Sequence, residues 1–223
     1  MNRLAVPAPV LAVLALAAAA PPATASAAGC APTGSTLISR DNDVRVYSTK
    51  TALAVDEFNI RTWVCSDRTG KRAVLASRGL GPTPSSRRGT YVGSMRFAGR
   101  YFAAVEENTG GANGPEGEPL IHRVDLDTGE QERTRTCPDC PSGRVGFHVT
   151  DLVVTRKGWI AWIASTRIRK IGPSPNIYAV GRRDSRGIKQ VDFSNTVERR
   201  SLADSGTTIF WISQGGPQDE DLY

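Results

Sequence analysis

The segment Gly158-Trp-Ile-Ala-Trp-Ile-Ala-Ser165 decides the fold. No polar residue stands between its glycine and its closing serine. A strand with one wet face alternates apolar and polar side chains, whereas a strand covered on both faces runs continuously apolar. The segment therefore predicts a strand sandwiched between two neighbouring sheets. Ile209-Phe-Trp-Ile212 has the same character. Around both, short runs rich in valine, isoleucine, threonine and aromatics alternate with Gly/Pro/Asn/Asp/Ser clusters, the pattern of an all-β chain.

The pattern repeats. Phe102–Glu107, Ile160–Ser165 and Ile209–Gln214 are apolar runs, each following a glycine turn: Ala98-Gly-Arg100, Lys157-Gly158 and Ser205-Gly206. By their glycines these turns are 59 and then 48 residues apart. A second set consists of Ser66-Asp-Arg-Thr-Gly70, Asp125-Leu-Asp-Thr-Gly129 and Arg183-Asp-Ser-Arg-Gly187, whose glycines are 59 and 58 apart. Two hairpin types alternating in this way predict four-stranded antiparallel units that stack on one another to share cores. The middle unit reads as 93–98, 101–107, 120–125 and 130–135, and the next as 150–155, 159–165, 176–181 and 188–193. Ile121-His-Arg-Val-Asp-Leu126 and Ile188-Lys-Gln-Val191 alternate and carry charge, as outer-rim strands should. A partial first unit (44–48, 60–65, 71–77) and a partial last one (197–202, 208–214, 219–223) bring the count to about fourteen strands. A closed four-bladed ring needs about sixteen. An open array would leave unpaired strand edges that invite self-association. Gln218-Asp-Glu-Asp-Leu-Tyr223 reads either as a charged edge strand or as a tail.

Gly158–Ser165, followed by Asn176-Ile-Tyr-Ala-Val180 and Ser185-Arg-Gly187, resembles the blade repeat of TolB-like β-propellers. The resemblance runs motif by motif over roughly residues 90–214 and extends to small secreted propeller-like proteins of actinobacteria. It implies an antiparallel propeller-like array of about four blades and is nearly silent on activity.

The chain begins with Arg3, an apolar run over Leu4–Ala20 and the small-residue site Ala25-Ser-Ala27, the order of a secretory signal. Residues 1–28 are read as that signal, cleaved after Ala27 or Ala28, and 29–223 as a single β-propeller-like domain. The alternative processing is lipidation of Cys30, since Ala27-Ala-Gly-Cys30 loosely resembles a lipobox. No stretch after residue 30 is apolar enough to span a bilayer. Removing Arg3 from the 28 basic residues leaves 27 against 22 acidic, a net of +5. The arginines are scattered, unlike the clustered basic face of a nucleic-acid reader. The expected partner is a protein or a cell-wall glycan, with no nucleic acid and no cofactor.

Export places Cys30, Cys65, Cys137 and Cys140 in an oxidising compartment, where an even count reads as disulfides. Of three pairings, the local one is favoured: Cys30–Cys65 with Cys137–Cys140. Cys137-Pro-Asp-Cys140 lies between a β run and a loop, without the βαβ setting of a redox motif or the second ligand pair of a zinc site. A staple is the expectation and thiol–disulfide exchange the rival. No catalytic set stands out. His122 and His148 lie near Asp125 and Asp151, but there is no G-x-S-x-G elbow. Glu106 and Glu107, adjacent on a strand, should point to opposite faces and so cannot flank one glycosidic bond. The glycine-rich loop 110–117 lacks the order and following helix of a phosphate cradle. Trp159, Trp162 and Trp211 read as core. For ligand binding at a loop-bearing face, the nominees are Trp63, Tyr91, Tyr101, Phe147 and His148. The leading expectation is a non-enzymatic binding or scaffold protein; the alternative is an extracytoplasmic enzyme with its residues on that face.

Overall fold

The computed structural model describes residues 30–82, 89–109, 118–137, 145–167 and 176–223. Within them the chain is antiparallel β throughout, with no helix. The first unit contains β1 (Thr36–Asp41), β2 (Val44–Ala54), β3 (Glu57–Ser66) and β4 (Arg72–Leu80). The second contains β5 (Gly89–Ala98), β6 (Tyr101–Thr109), β7 (Leu120–Asp125) and β8 (Gln131–Arg135). The third contains β9 (Val145–Val154), β10 (Ile160–Arg167), β11 (Ile177–Asp184) and β12 (Gly187–Ser194). The fourth contains β13 (Ala203–Ser205), β14 (Thr208–Ser213) and β15 (Gly216–Asp221).

In hydrogen-bonded order these make an eight-stranded, a four-stranded and a three-stranded sheet. The eight-stranded sheet is the first two units joined through one residue pair, Arg78↔Gly89. A Cβ at Gly89 would lie 2.4 Å from the Arg78 Cα and the Ser77 carbonyl oxygen. Only glycine lets the two strands meet there.

The first unit is complete, contrary to the expectation of a partial one. Its opening strand β1 was missed because its turn carries Asn42 in place of glycine. Asn42 (φ 51°) stands where the later units have Gly99 (61°), Gly158 (82°) and Gly206 (68°). All four adopt the left-handed conformation that asparagine tolerates best after glycine. One hydrogen bond recurs with this turn. Asp67 N–H donates to the Asp43 carbonyl at 2.6 Å, Leu126 N–H to Arg100 at 2.8 Å, and Leu222 N–H to Thr207 at 2.6 Å. Each acceptor follows its turn residue by one position, so the first, second and fourth units are built to one plan.

The last unit also differs from expectation: β14, read as covered on both faces, buries Ile209 and Trp211 against the third unit but leaves Phe210 39% exposed on its other face. Residues 197–202 are not a strand. Val197 and Leu202 are buried, and the turn between them is pinned by Glu198 N–H to Ile212 O and Leu202 N–H to Asp151 Oδ2 (2.9 and 3.1 Å). The acidic segment forms the edge strand β15. It is reached through a two-residue turn whose Gln214 and Gly215 both have positive φ, as tight hairpins require.

Three apolar interfaces stack the units in chain order. Val44, Val46, Val64 and Leu75 of the first unit meet Phe102, Ala104 and Val124 of the second. Tyr101, Ala103, Val105 and Ile121 of the second meet Leu152, Ile160, Trp162 and Ala164 of the third. Ala161, Ile163 and Val180 of the third meet Ile209, Trp211 and Leu222 of the fourth. β6 and β10 thus deal alternate residues to two interfaces, which is why both read as continuous apolar runs. Polar ties bridge the same boundaries: Arg68–Asp127 and Arg183–Glu132, then Arg182–Glu220 and Lys189–Glu220 at 3.1 Å each. The scattered arginines named here pair with carboxylates of the neighbouring unit.

Candidate functional site

The Gly99, Gly129, Gly158 and Gly187 turns close one end of the second and third units. Away from that end, Tyr91 on β5, Glu107 on β6 and His148 on β9 come together from two units. The Tyr91 hydroxyl donates to Glu107 Oε2, and His148 Nδ1 lies 3.8 Å from the same oxygen. A β-bulge shapes the site. The β5–β6 register shifts between Val92 and Met95, and a Cβ at Gly93 would stand 2.7 Å from Glu107 Oε1. The bulge and its bare glycine leave the space that the carboxylate fills. Bulges re-aim side chains in this way beside functional sites. A second bulge lies in β9, between its pairings with Ile163 and Ala164. His148 is exposed and Glu107 mostly covered.

Glu106 faces the other way, as alternation requires. Its Oε2 lies 2.5 Å from His122 Nε2. The Gln131 amide nitrogen lies 2.5 Å from His122 Nδ1 and donates to the Val74 carbonyl at 2.7 Å. With one amide proton on Val74, the other points to Nδ1, so Nδ1 accepts and Nε2–H donates to Glu106. Burial pushes the Glu106 pKa up. Hydrogen bonds from His122 and Thr90 and the charge of Arg133 outweigh it and hold the carboxyl below its ordinary value of 4.5. His122 is wholly buried. The group ties the first unit to the second.

The other nominees lie apart from this site. Tyr101 is buried at the glycine-turn end, packed on Gly158 and beneath the Arg100 and Arg123 guanidinium groups. Trp63 is on the outer face of the first unit, stacked on Tyr47 at 6.5 Å between centroids, with Nε1–H donating to Thr49 Oγ1. The Phe147 side chain lies outside the described residues. Trp162 and Trp211 are core, but Trp159 is only half-buried, with Lys157 Nζ 4.3 Å from its ring centroid.

Cys30 and Cys65 form a disulfide with Cα atoms 6.0 Å apart. These two sulfurs and an Asp67 oxygen come within 4.8 Å of one another. A disulfide offers no thiolate, so the cluster is a covalent tie and not a metal centre. Cys137 is also disulfide-bonded and 4% exposed; Cys140 lies outside the described residues. Among the described residues, no helix is long and apolar enough to cross a membrane. No protein-family model matches the chain, and no curated protein sequence matches it.

The Tyr91–Glu107–His148 cluster presents a carboxylate, a phenol and an imidazole together, able to accept and donate hydrogen bonds to a polar ligand. Sequence reasoning nominated Tyr91 and His148 but separated Glu107 from them. Only the register of β5 and β9 against β6 brings the carboxylate to both.

Proposed function

We propose that the chain is an exported, non-enzymatic binding or scaffold protein of the cell envelope or extracellular space, built as a propeller-like array of about four sheet units. The observation that carries this reading is the serial stacking of the units. It makes a frame on which Tyr91, Glu107 and His148, drawn from two units, form a ligand-facing cluster at the end away from the glycine turns. A leader at 1–28 fits the disulfide of Cys30 and Cys65, and that bond counts against lipidation at Cys30, which would need the same sulfur. Burial of Cys137 supports a structural staple, because thiol–disulfide exchange needs an accessible sulfur.

The test is retention of the purified chain on insoluble peptidoglycan, with a parallel screen for hydrolase and oxidoreductase turnover. Retention without turnover supports the binding reading. The enzymatic reading is favoured by the same carboxylate–phenol–imidazole convergence. Turnover that disappears in His148→Ala or Cys137→Ser would install it instead.

A further inference from the structure

At the glycine-turn end, between the third and fourth units, lies a cleft of about 380 Å³ lined by Lys157, Trp159, Thr207, Asp221, Leu222 and Tyr223. A second cleft of about 310 Å³ shares Asp221 and Tyr223 with it and adds Arg186, Asp219 and Glu220. We propose that this double cleft is a binding site for a neutral oligosaccharide, with consecutive sugar rings seated on either side of Tyr223. The inference rests on the binding reading above and adds to it a ligand class and a second place, at the opposite end from Tyr91, Glu107 and His148.

The first cleft offers two aromatic rings, an apolar surface for the C–H face of a pyranose, above the buried Leu222. Around them stand a hydroxyl, an ammonium and a carboxylate for the hydroxyl rim. One charge of each sign suits a neutral ligand with both donors and acceptors. The second cleft is almost wholly polar, the complement of a sugar held by its hydroxyl groups. Its volume and its neighbour's fall in the range of small-molecule sites, roughly 300–1,000 Å³.

The walls are fixed before any ligand arrives. Tyr223 N–H donates to Asp184 Oδ2 at 3.1 Å, and its carbonyl accepts from Ser185 N–H at 2.7 Å. The Arg186 guanidinium carbon lies 4.2 Å from the Tyr223 ring centroid. Thr208 Oγ1–H donates to Asp221 Oδ1 at 2.8 Å, while Leu222 beside it is buried in the core. A preorganised wall spends little affinity on ordering itself. A cationic peptide is the rival occupant: Lys157 and Arg186 over the two rings repel it, while Asp219, Glu220 and Asp221 attract it, although Glu220 already pairs with Lys189 and Asp221 already accepts from Thr208.

Titration calorimetry of the full chain with chitotriose, cellotriose and mannotriose tests the proposal. At least one trisaccharide should bind, about tenfold more weakly after Tyr223→Ala, a change of one exposed ring. Lys157→Ala should weaken it too, and Trp63→Phe, on the far unit, should not. Thermal unfolding of each variant separates lost binding from lost fold. The proposal is overturned if none of the three sugars binds, or if binding ignores Tyr223 and Lys157. It is equally overturned if a lysine-rich peptide binds there in place of the sugars. If Tyr223→Ala is retained on peptidoglycan as well as the parent chain, the binding reading stands and this cleft is not its seat.

Discussion

Glu106 and Glu107 are neighbours in sequence and belong to different interfaces. Strand alternation alone says so, and it excludes the two as a carboxylate pair acting on one bond. Their partners are another matter. Nothing in a single sequence indicates that Gln131 and His122 will line up behind Glu106, or that a bulge at Gly93 will open room for Glu107. The Glu106 network has a consequence for stability. Because its carboxyl is held below 4.5 in the folded chain, it contributes stability that is present above the unfolded value. That contribution is lost as pH falls through the lower folded value. Glu106→Gln should lower stability by about 1–2 kcal/mol at neutral pH. The deficit should shrink as the medium is acidified to roughly pH 4 and below. Urea midpoints of both proteins across that range measure it. A deficit that stays constant with pH would show that the charge of Glu106 is irrelevant.

At the scale of elements, the glycine turns carried most of the reading. They located the hairpins of the second and third units and the β13–β14 turn of the fourth. Where asparagine replaced glycine at residue 42, β1 was lost from view, although the backbone conformation is the same. Residues 197–202 misled for the opposite reason: buried Val197 and Leu202 suggest a strand, but a turn holds them against β14 and Asp151. The first unit has a further tie. Cys30 bridges to Cys65 across a separation of 35 residues, and the Tyr47 hydroxyl donates to the Cys30 carbonyl at 3.3 Å. Cys65→Ser should cost about 3–4 kcal/mol in the chain-entropy account, seen as a lower unfolding midpoint under oxidising conditions. With both proteins reduced, the two midpoints should nearly coincide. A large gap that survives reduction would place the effect in packing at this fully buried site.

Taken whole, the molecule is a series of interfaces, first to second, second to third, third to fourth. Among the described residues, no buried cluster joins the fourth unit to the first. In such an array each unit depends on its neighbours. Ile209 is wholly buried between the third and fourth units. Ile209→Ala should destabilise by about 2–5 kcal/mol, concentrated at one end. Hydrogen exchange should speed up in β13–β15 while β2–β4 keep their protection. Uniform loss of protection would mean instead that the four units unfold as one cooperative block.

The sequence by itself determined the antiparallel class, the unit length, the doubly covered strand β10 and the opposite facing of Glu106 and Glu107. Each of these follows from local rules: turn chemistry, the two-residue period of a strand, and the loss of that period when both faces are buried. It also favoured the Cys30–Cys65 pairing among three, without excluding the others. Tertiary structure alone decided which carboxylate meets Tyr91 and His148, which arginine crosses to which unit, and that Trp159 and Tyr223 line a cleft. Those outcomes depend on strand register and bulges, and on how one sheet is set against the next. Residues far apart in the chain settle such choices jointly, so no local stretch contains them.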